Sequence, residues 1–510
     1  MPSKLDDLRA RLAEVSDLGR ARALLDWDQR TQMPAAGAEI RAEQVATLAR
    51  IRHERLVSGE LGAVLDEAAL EVEGRPYESN EASLVRVARR QWEKARRVPA
   101  SLRAELTRAA SLAEHAWAGF RERSDFAGFL PYLERNVELR RRYAECFDGF
   151  EGFEHPYDPL LDDFEPGMTT EEARGVLTQL RDGVRPLVAD VASRIDSVDD
   201  ACLHGDFPVA AQEALVREIV GRLPLQAEAW RLDPTVHPFA TAISPADIRI
   251  TTRFDPGYVG TALWSAIHEA GHALYENGIA SELWRSPLCS PPSLGFHESQ
   301  SRLWENWVGR GRPFLDHLLP RLRQLFPERY ASLGAEALFR AANRIEPSLI
   351  RVEADQVTYN LHVVLRFELE LELFEGRLTP ADLPDAWNAR MAEYLGLEVP
   401  NDAAGVLQDV HWAGGAFGYF PTYSLGNVIA AQIWDLAVQE VPELEDGIAA
   451  GDFGPLGDWL RDRLYRHGAK FMPKETLERL VGGPIDVAPY LRQLRERAVE
   501  IYGIRDQPPG

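Results

Sequence analysis

Cysteine is scarce in this chain. Its 510 residues hold only Cys146, Cys202 and Cys289, an odd number spread over the length. That excludes a disulfide framework or a cysteine-rich zinc site, and it favours a reducing, cytoplasmic setting. No uncharged apolar run reaches 18 residues, so no membrane-spanning helix is expected. The opening MPSKLDDLRARLAEV is charged and amphipathic and has no signal-peptide apolar core. Lysine is nearly missing as well: 4 of the 57 basic residues are lysine, which reads as a GC-rich coding bias. Positive charge is outweighed overall. The formal net charge of −23 argues against nucleic acid or an anionic membrane as the main partner. No internal repeat is visible. The Gly-rich GDFGPLG (451–457) contains Pro455 and no Lys-Ser/Thr, so it reads as a turn and not a phosphate loop.

Helical periodicity, by contrast, runs through most of the chain. It is clearest at 3–30, 36–58, 81–97, 100–123, 128–147, 170–196, 208–222, 332–345, 355–377 and 485–502. Length alone would suggest about three domains. With no long linker, a single mainly α-helical body over residues 1–510 fits better. Strand patterns are rare. The best is DIRITTRF (247–254), where Ile248, Ile250 and Thr252 alternate with Asp247, Arg249, Thr251 and Arg253. It predicts a short strand or hairpin beside the helix that follows.

That helix carries HEAGH (268–272) inside TALWSAIHEAGHALYENG. His268 and His272, four positions apart, project from one helical face about a turn from each other. Two neutral imidazoles so placed can occupy two corners of a tetrahedral Zn²⁺ site, with Glu269 as general base for an activated water. Leu263, Trp264, Ile267, Leu274 and Tyr275 supply apolar bulk, and Gly278 suits a C-terminal stop. The plainer alternative is a buried helix with two hydrogen-bonded histidines.

A catalytic zinc needs a third protein ligand and one open position. The best source is HESQSRLWEN (297–306), which is helix-prone after a Pro-rich break. Glu298 is the expected ligand. His297 would point about 100° away from it on a helix, so only one of the two should ligate. Ligating histidines usually donate their second N–H to a carboxylate, and Glu276 and Glu305 stand at plausible offsets. Arg302 occupies a position where some related zinc peptidases carry an acidic partner.

These motifs have a familiar order. LLDWDQRTQMP (24–34), YDPLLDDFEPGMT (157–169), HPF (237–239), DIRIT (247–251), HEAGH, HESQ (297–300), IRVEAD (350–355) and GVLQDVHW (405–412) resemble those of the carboxypeptidase Taq family of metallocarboxypeptidases. The resemblance implies an α-helical fold with a deep active-site groove. It implies one catalytic zinc per chain (Co²⁺ or Mn²⁺ could substitute) and a homodimer. The implied activity is stepwise, broad-specificity removal of residues from peptide C-termini.

Within HWAGGAFGYFPTYS (411–424), Tyr423 is expected at the oxyanion and His411 at the substrate carbonyl or oxyanion, with Tyr419 nearby. Arg351 of IRVEAD is the first choice to clamp the terminal carboxylate, and Arg249 the second. Arg351 could also pair with Asp355 at i,i+4 on a helix. His237 is a further groove candidate, although beside Pro238 and Phe239 it also reads as structural. Asp409 is a candidate to orient His411. The alternatives are a zinc endopeptidase or dipeptide-removing enzyme on the same scaffold, or a non-catalytic helical scaffold. A zinc aminopeptidase is disfavoured, because no G-x-M-E-N-like segment is present.

Overall fold

A computed structural model describes residues 3–505. Helix dominates, and the periodic segments become helices with nearly the expected bounds: Lys4–Thr31, Ala38–Leu56, Asn80–Arg97, Ala100–Glu122, Phe126–Glu145, Thr170–Ala192, Val209–Arg222 and Ala488–Tyr502. The segment expected at 355–377 starts late, at Tyr359–Phe374. Its would-be first turn is claimed by Asp355, whose carboxylate accepts the backbone N–H groups of Val357 and Thr358. The chain divides into two compact units. One takes the residues up to Arg96, Asp200–Ala342 and Ile433–Gly483; the other takes Arg97–Asp199, Asn343–Gln432 and the chain from Pro484.

In the first unit a three-stranded sheet lies against the HEAGH helix, Val259–Gly278. The strands are β1 (Trp230–Pro234), β2 (Ala240–Ser244) and β3 (Asp247–Thr252), in the order β1-β3-β2. β3 pairs parallel with β1, setting Ile250 beside Leu232, and antiparallel with β2, setting Ile250 beside Ala240. Only β3 carried the alternation that marks a strand; β1 and β2 are five residues each and take their shape from it. The hydroxyl of Thr252 reaches the carbonyl of Ala262 and the hydroxyl of Ser265, tying the end of β3 to the HEAGH helix.

Glycine sets two features of that helix. At Gly271 a Cβ would lie 2.5 Å from the carbonyl oxygen of Gln300, so only glycine admits the returning helix Leu294–Arg302 at this distance. Gly278 differs from expectation. It is the last helical residue and not a left-handed stop, and its bare Cα accommodates the ring of Tyr465. The returning helix is capped by Ser293, which accepts from Phe296 N–H, and it runs on into a π-helical turn, Leu303–Gly309.

In the second unit the helix Tyr359–Phe374 is buried on nearly all sides, against Thr170–Ala192, Leu383–Leu395 and Phe126–Glu145. A helix in that position should be apolar all round. This one carries Arg366 and Glu370, both 0% exposed.

Candidate functional site

The first unit brings His268, His272 and Glu298 together, with one ligand atom from each lying within 4.8 Å of the others. Glu298 Oε2 is 3.7 Å from His268 Nε2 and 3.4 Å from His272 Nε2. Neighbouring ligand atoms on a tetrahedral zinc with bonds near 2.0–2.1 Å stand roughly 3.3–3.5 Å apart. Two imidazoles and one carboxylate at these separations therefore fit a single divalent ion.

The surroundings hold this set in place. His268 Nδ1 meets Glu305 Oε2 at 3.0 Å. Of the two carboxylates anticipated behind the histidines, Glu305 is the one that reaches a ligand histidine, His268. Glu276 instead lies near Arg20 and His297. His297 is not part of this three-residue group; its ring packs 4.2 Å from that of His272, and its Nε2 lies 3.9 Å from Glu276. Arg302 does not leave the cluster without an acidic partner. Its Nε donates to Glu298 Oε1 at 2.7 Å, so the other oxygen, Oε2, faces the histidines. The acidic role passes three residues on to Glu305 in the π-helical turn, where Arg310 also holds it.

Charge follows this geometry. Burial opposes ionisation of Glu298, but Arg302 and the two imidazoles outweigh it and hold the carboxyl well below its usual range. Glu305 is likewise disfavoured by burial, yet the bond from His268 and the charges of Arg310 and Arg302 bring it down to about 2. Glu269 behaves differently. It is 6% exposed and has no guanidinium partner among the described residues, and burial pushes it up to about 7. A carboxyl poised near neutrality suits a group that takes up and returns a proton.

Arg249 lies on β3 with its guanidinium on the carboxylate of Asp247 and stacked 4.8 Å over Trp27. The N-terminal LLDWDQR segment thus meets DIRIT through one ring. His237 is exposed in the loop between β1 and β2, so it is not the packed structural histidine that its Pro-Phe neighbours suggested.

The second unit assembles a different cluster. Arg351 sits in a short 3-10 turn and not on a helix, and it is 4% exposed. The i,i+4 pair with Asp355 does not form; Asp355 is engaged with Thr358 and the backbone. Arg351 instead donates Nε and Nη2 to Asp409 Oδ1 and Nη1 to the Tyr359 hydroxyl. Its guanidinium lies 4.8 Å over the ring of Tyr423. Asp409 Oδ2 accepts from Arg366, whose remaining donors go to Gln408 and the His362 carbonyl. Burial works against Asp409 ionising, but the two guanidiniums keep it far below the ordinary carboxylate range. His411 Nδ1 is 3.8 Å from Asp409, and its Nε2 is 3.1 Å from the Tyr423 hydroxyl. Burial lowers His411 to about 4, which makes it a neutral imidazole at pH 7. Tyr419 stacks edge-on to Tyr423 and Phe164.

Arg366, Glu370 and Gln408 went unnoticed in the sequence. A signal for the first two was there: an arginine and a glutamate four apart in the apolar VVLRFELELELF, where burial demands partners.

Residues 7–498 match the family of carboxypeptidase Taq (M32) metallopeptidases. The chain belongs to this family. It is 43% identical over 503 residues to thermostable carboxypeptidase 1 of Thermus thermophilus, covering 96% of this chain and 97% of that protein. It is 35% identical over 491 residues to carboxypeptidase 1 of Bacillus subtilis, covering 96% and 97%. Among solved structures, the M32 carboxypeptidase from Deinococcus radiodurans superposes with a TM-score of 0.94 at 40% identity, covering 98% of this chain and all of that one. As a member of the carboxypeptidase Taq family, the chain is a metallocarboxypeptidase acting on peptides. The endopeptidase and scaffold alternatives fall away with that membership.

Proposed function

We propose that the whole chain forms one catalytic domain that removes C-terminal residues with one zinc ion, held by His268, His272 and Glu298. The observation that carries this reading is the convergence of both Nε2 atoms on Glu298 Oε2. Bound there, zinc supplies a Lewis acid that polarises the scissile carbonyl and acidifies water; Co²⁺ or Mn²⁺ would suit the same donors. Glu269 accepts the proton of the attacking water and returns it to the leaving amine as the C–N bond breaks. Tyr423 is assigned to the oxygen on which charge develops, and His411 to the substrate carbonyl or that oxygen. Arg351 receives the terminal carboxylate. Asp409 and Tyr359 occupy three of its five N–H donors, and two guanidiniums share one carboxylate, which leaves a positive charge to be matched. Arg249, Tyr419 and His237 are assigned to the substrate more loosely, by motif.

The homodimer is proposed on the family resemblance alone. Cytoplasmic residence is proposed on three free cysteines. Among the described residues, no helix is long and apolar enough to cross a membrane.

Elemental analysis tests the metal assignment. Wild type should carry one zinc per chain, and Glu298→Ala should lose most of it; equal stoichiometry and affinity would remove Glu298 from the ligand set. A second measurement concerns Glu305. Glu305→Gln keeps the shape but weakens the hold on His268, so zinc affinity measured by chelator competition should fall about 10–100-fold. An unchanged affinity would make Glu305 a bystander.

A further inference from the structure

We infer that Glu370 is a positioning residue, which holds the Gly-rich segment carrying His411 in its working shape. It stands in the second unit at the centre of the buried helix Tyr359–Phe374 and does not touch Arg351, Asp409 or His411 through any hydrogen bond in the described residues. Its two oxygens grip the segment at two points. Oε1 accepts from the indole Nε1 of Trp412 at 2.7 Å, and Oε2 accepts from the backbone N–H of Gly418 at 2.9 Å. A third donor, the hydroxyl of Tyr157, reaches Oε2 at 2.5 Å. Trp412 is next in sequence to His411, and Gly418 directly precedes Tyr419 and Phe420. One side chain thus closes the turn that presents His411 to Tyr423, whose ring nitrogen and hydroxyl are 3.1 Å apart. Asn136 adds a second anchor from another helix, donating to the carbonyls of Trp412 and Ala413.

A carboxylate is a costly choice at this position. Glu370 is 0% exposed and, among the described residues, forms no ion pair with a guanidinium; burial pushes it up to about 7. Simple packing would be served better by an apolar side chain of similar volume. What an apolar residue or an amide cannot do, and the ionised carboxylate can, is accept three donors with two oxygens. Glutamine would aim an N–H₂ group at either the indole N–H or the Gly418 N–H, and donor would then face donor. The carboxylate is thus matched to the segment it holds. Because a displacement of about 1 Å in a catalytic group can cost on the order of 10²-fold in rate, a looser segment should be felt in kcat.

The inference rests on the role proposed for His411, and a double-mutant cycle separates that role from the positioning. Glu370→Gln should lower kcat on the order of 10²-fold, with KM little changed and zinc content at one per chain. His411→Ala should lower kcat by itself. If Glu370 acts through His411, the double variant will be no slower than His411→Ala alone, because the positioning has nothing left to position. A merely structural role would lower kcat again by the full factor, and that additive result would overturn the inference. A Glu370→Gln protein that folds and turns over at the wild-type rate would overturn it too. A wild-type rate in His411→Ala would instead overturn the role given to His411, whatever Glu370 does. Should Glu370→Gln fail to fold, Trp412→Phe keeps an aromatic ring, smaller than the indole, and deletes the indole donor, and it enters the same cycle. It should lower kcat in the presence of His411 and not in its absence; equal loss in both backgrounds would dismiss the assignment.

Discussion

Glu269→Gln should keep zinc bound while kcat falls by about 10²–10⁴-fold, the usual worth of a general base. Glutamine matches glutamate in size, so the packing of the HEAGH helix at this 6% exposed position stays intact. His268 and His272 lie on either side in sequence and are held by Glu305 and Glu298, neither of which the substitution touches. What disappears is the carboxylate proton acceptor next to His268, a buried group that no guanidinium neutralises among the described residues. The measurement is zinc content together with steady-state kinetics on a single peptide. A metal-loaded variant with near-normal kcat would show that another group takes the proton. A variant without metal would be uninformative about the base but would still report on the ligand set, so both quantities belong to one experiment.

The second large effect lies at the other end of the substrate. Capping a good peptide substrate as its C-terminal amide should reduce kcat/KM by tens- to thousands-fold, equivalent to about 2–5 kcal/mol. The basis is the charge count around Asp409. Arg351 and Arg366 are buried, with side chains 5% and 0% exposed, and they share one carboxylate. Burying a charge is tolerable only where it is paired. An incoming terminal carboxylate supplies the missing negative charge, and a guanidinium fork is suited to bind it through two bonds. An amide brings no charge and one acceptor oxygen fewer. Mass spectrometry of the free acid and its amide twin, with and without a chelator, gives the answer. Successive single-residue losses from the free acid only, abolished by chelation, are the expected pattern. Equal trimming of both twins would mean that the terminal carboxylate is not recognised by charge, and would remove Arg351 from the substrate.

Much of the fold was legible along the chain because helices announce themselves locally. Apolar residues three and four apart define a face, and the bounds at Thr170–Ala192 or Ala488–Tyr502 lie within a few residues of the periodic segments. The sheet was less visible. β3 alternates because one of its faces, with Ile248 and Ile250, is buried, whereas the five-residue β1 and β2 have no periodicity long enough to read.

The same division runs through the candidate site. His268, Glu269 and His272 belong to one helix, and four-residue spacing dictates that both imidazoles share a face. Family, reaction class and the His-Glu-His element could therefore be read from sequence alone. The approach of Glu298 is a tertiary event, made possible where Gly271 lets the returning helix come within contact of the first. Arg302 on Glu298, Glu305 on His268, and Arg366 sharing Asp409 with Arg351 were likewise decided by packing. The physical reason is range. Helical periodicity and i,i+4 spacing are set by backbone geometry over a few residues, so sequence determines them directly. A buried charge must find its counter-charge wherever the fold provides one, and only the tertiary structure decides which residue that is.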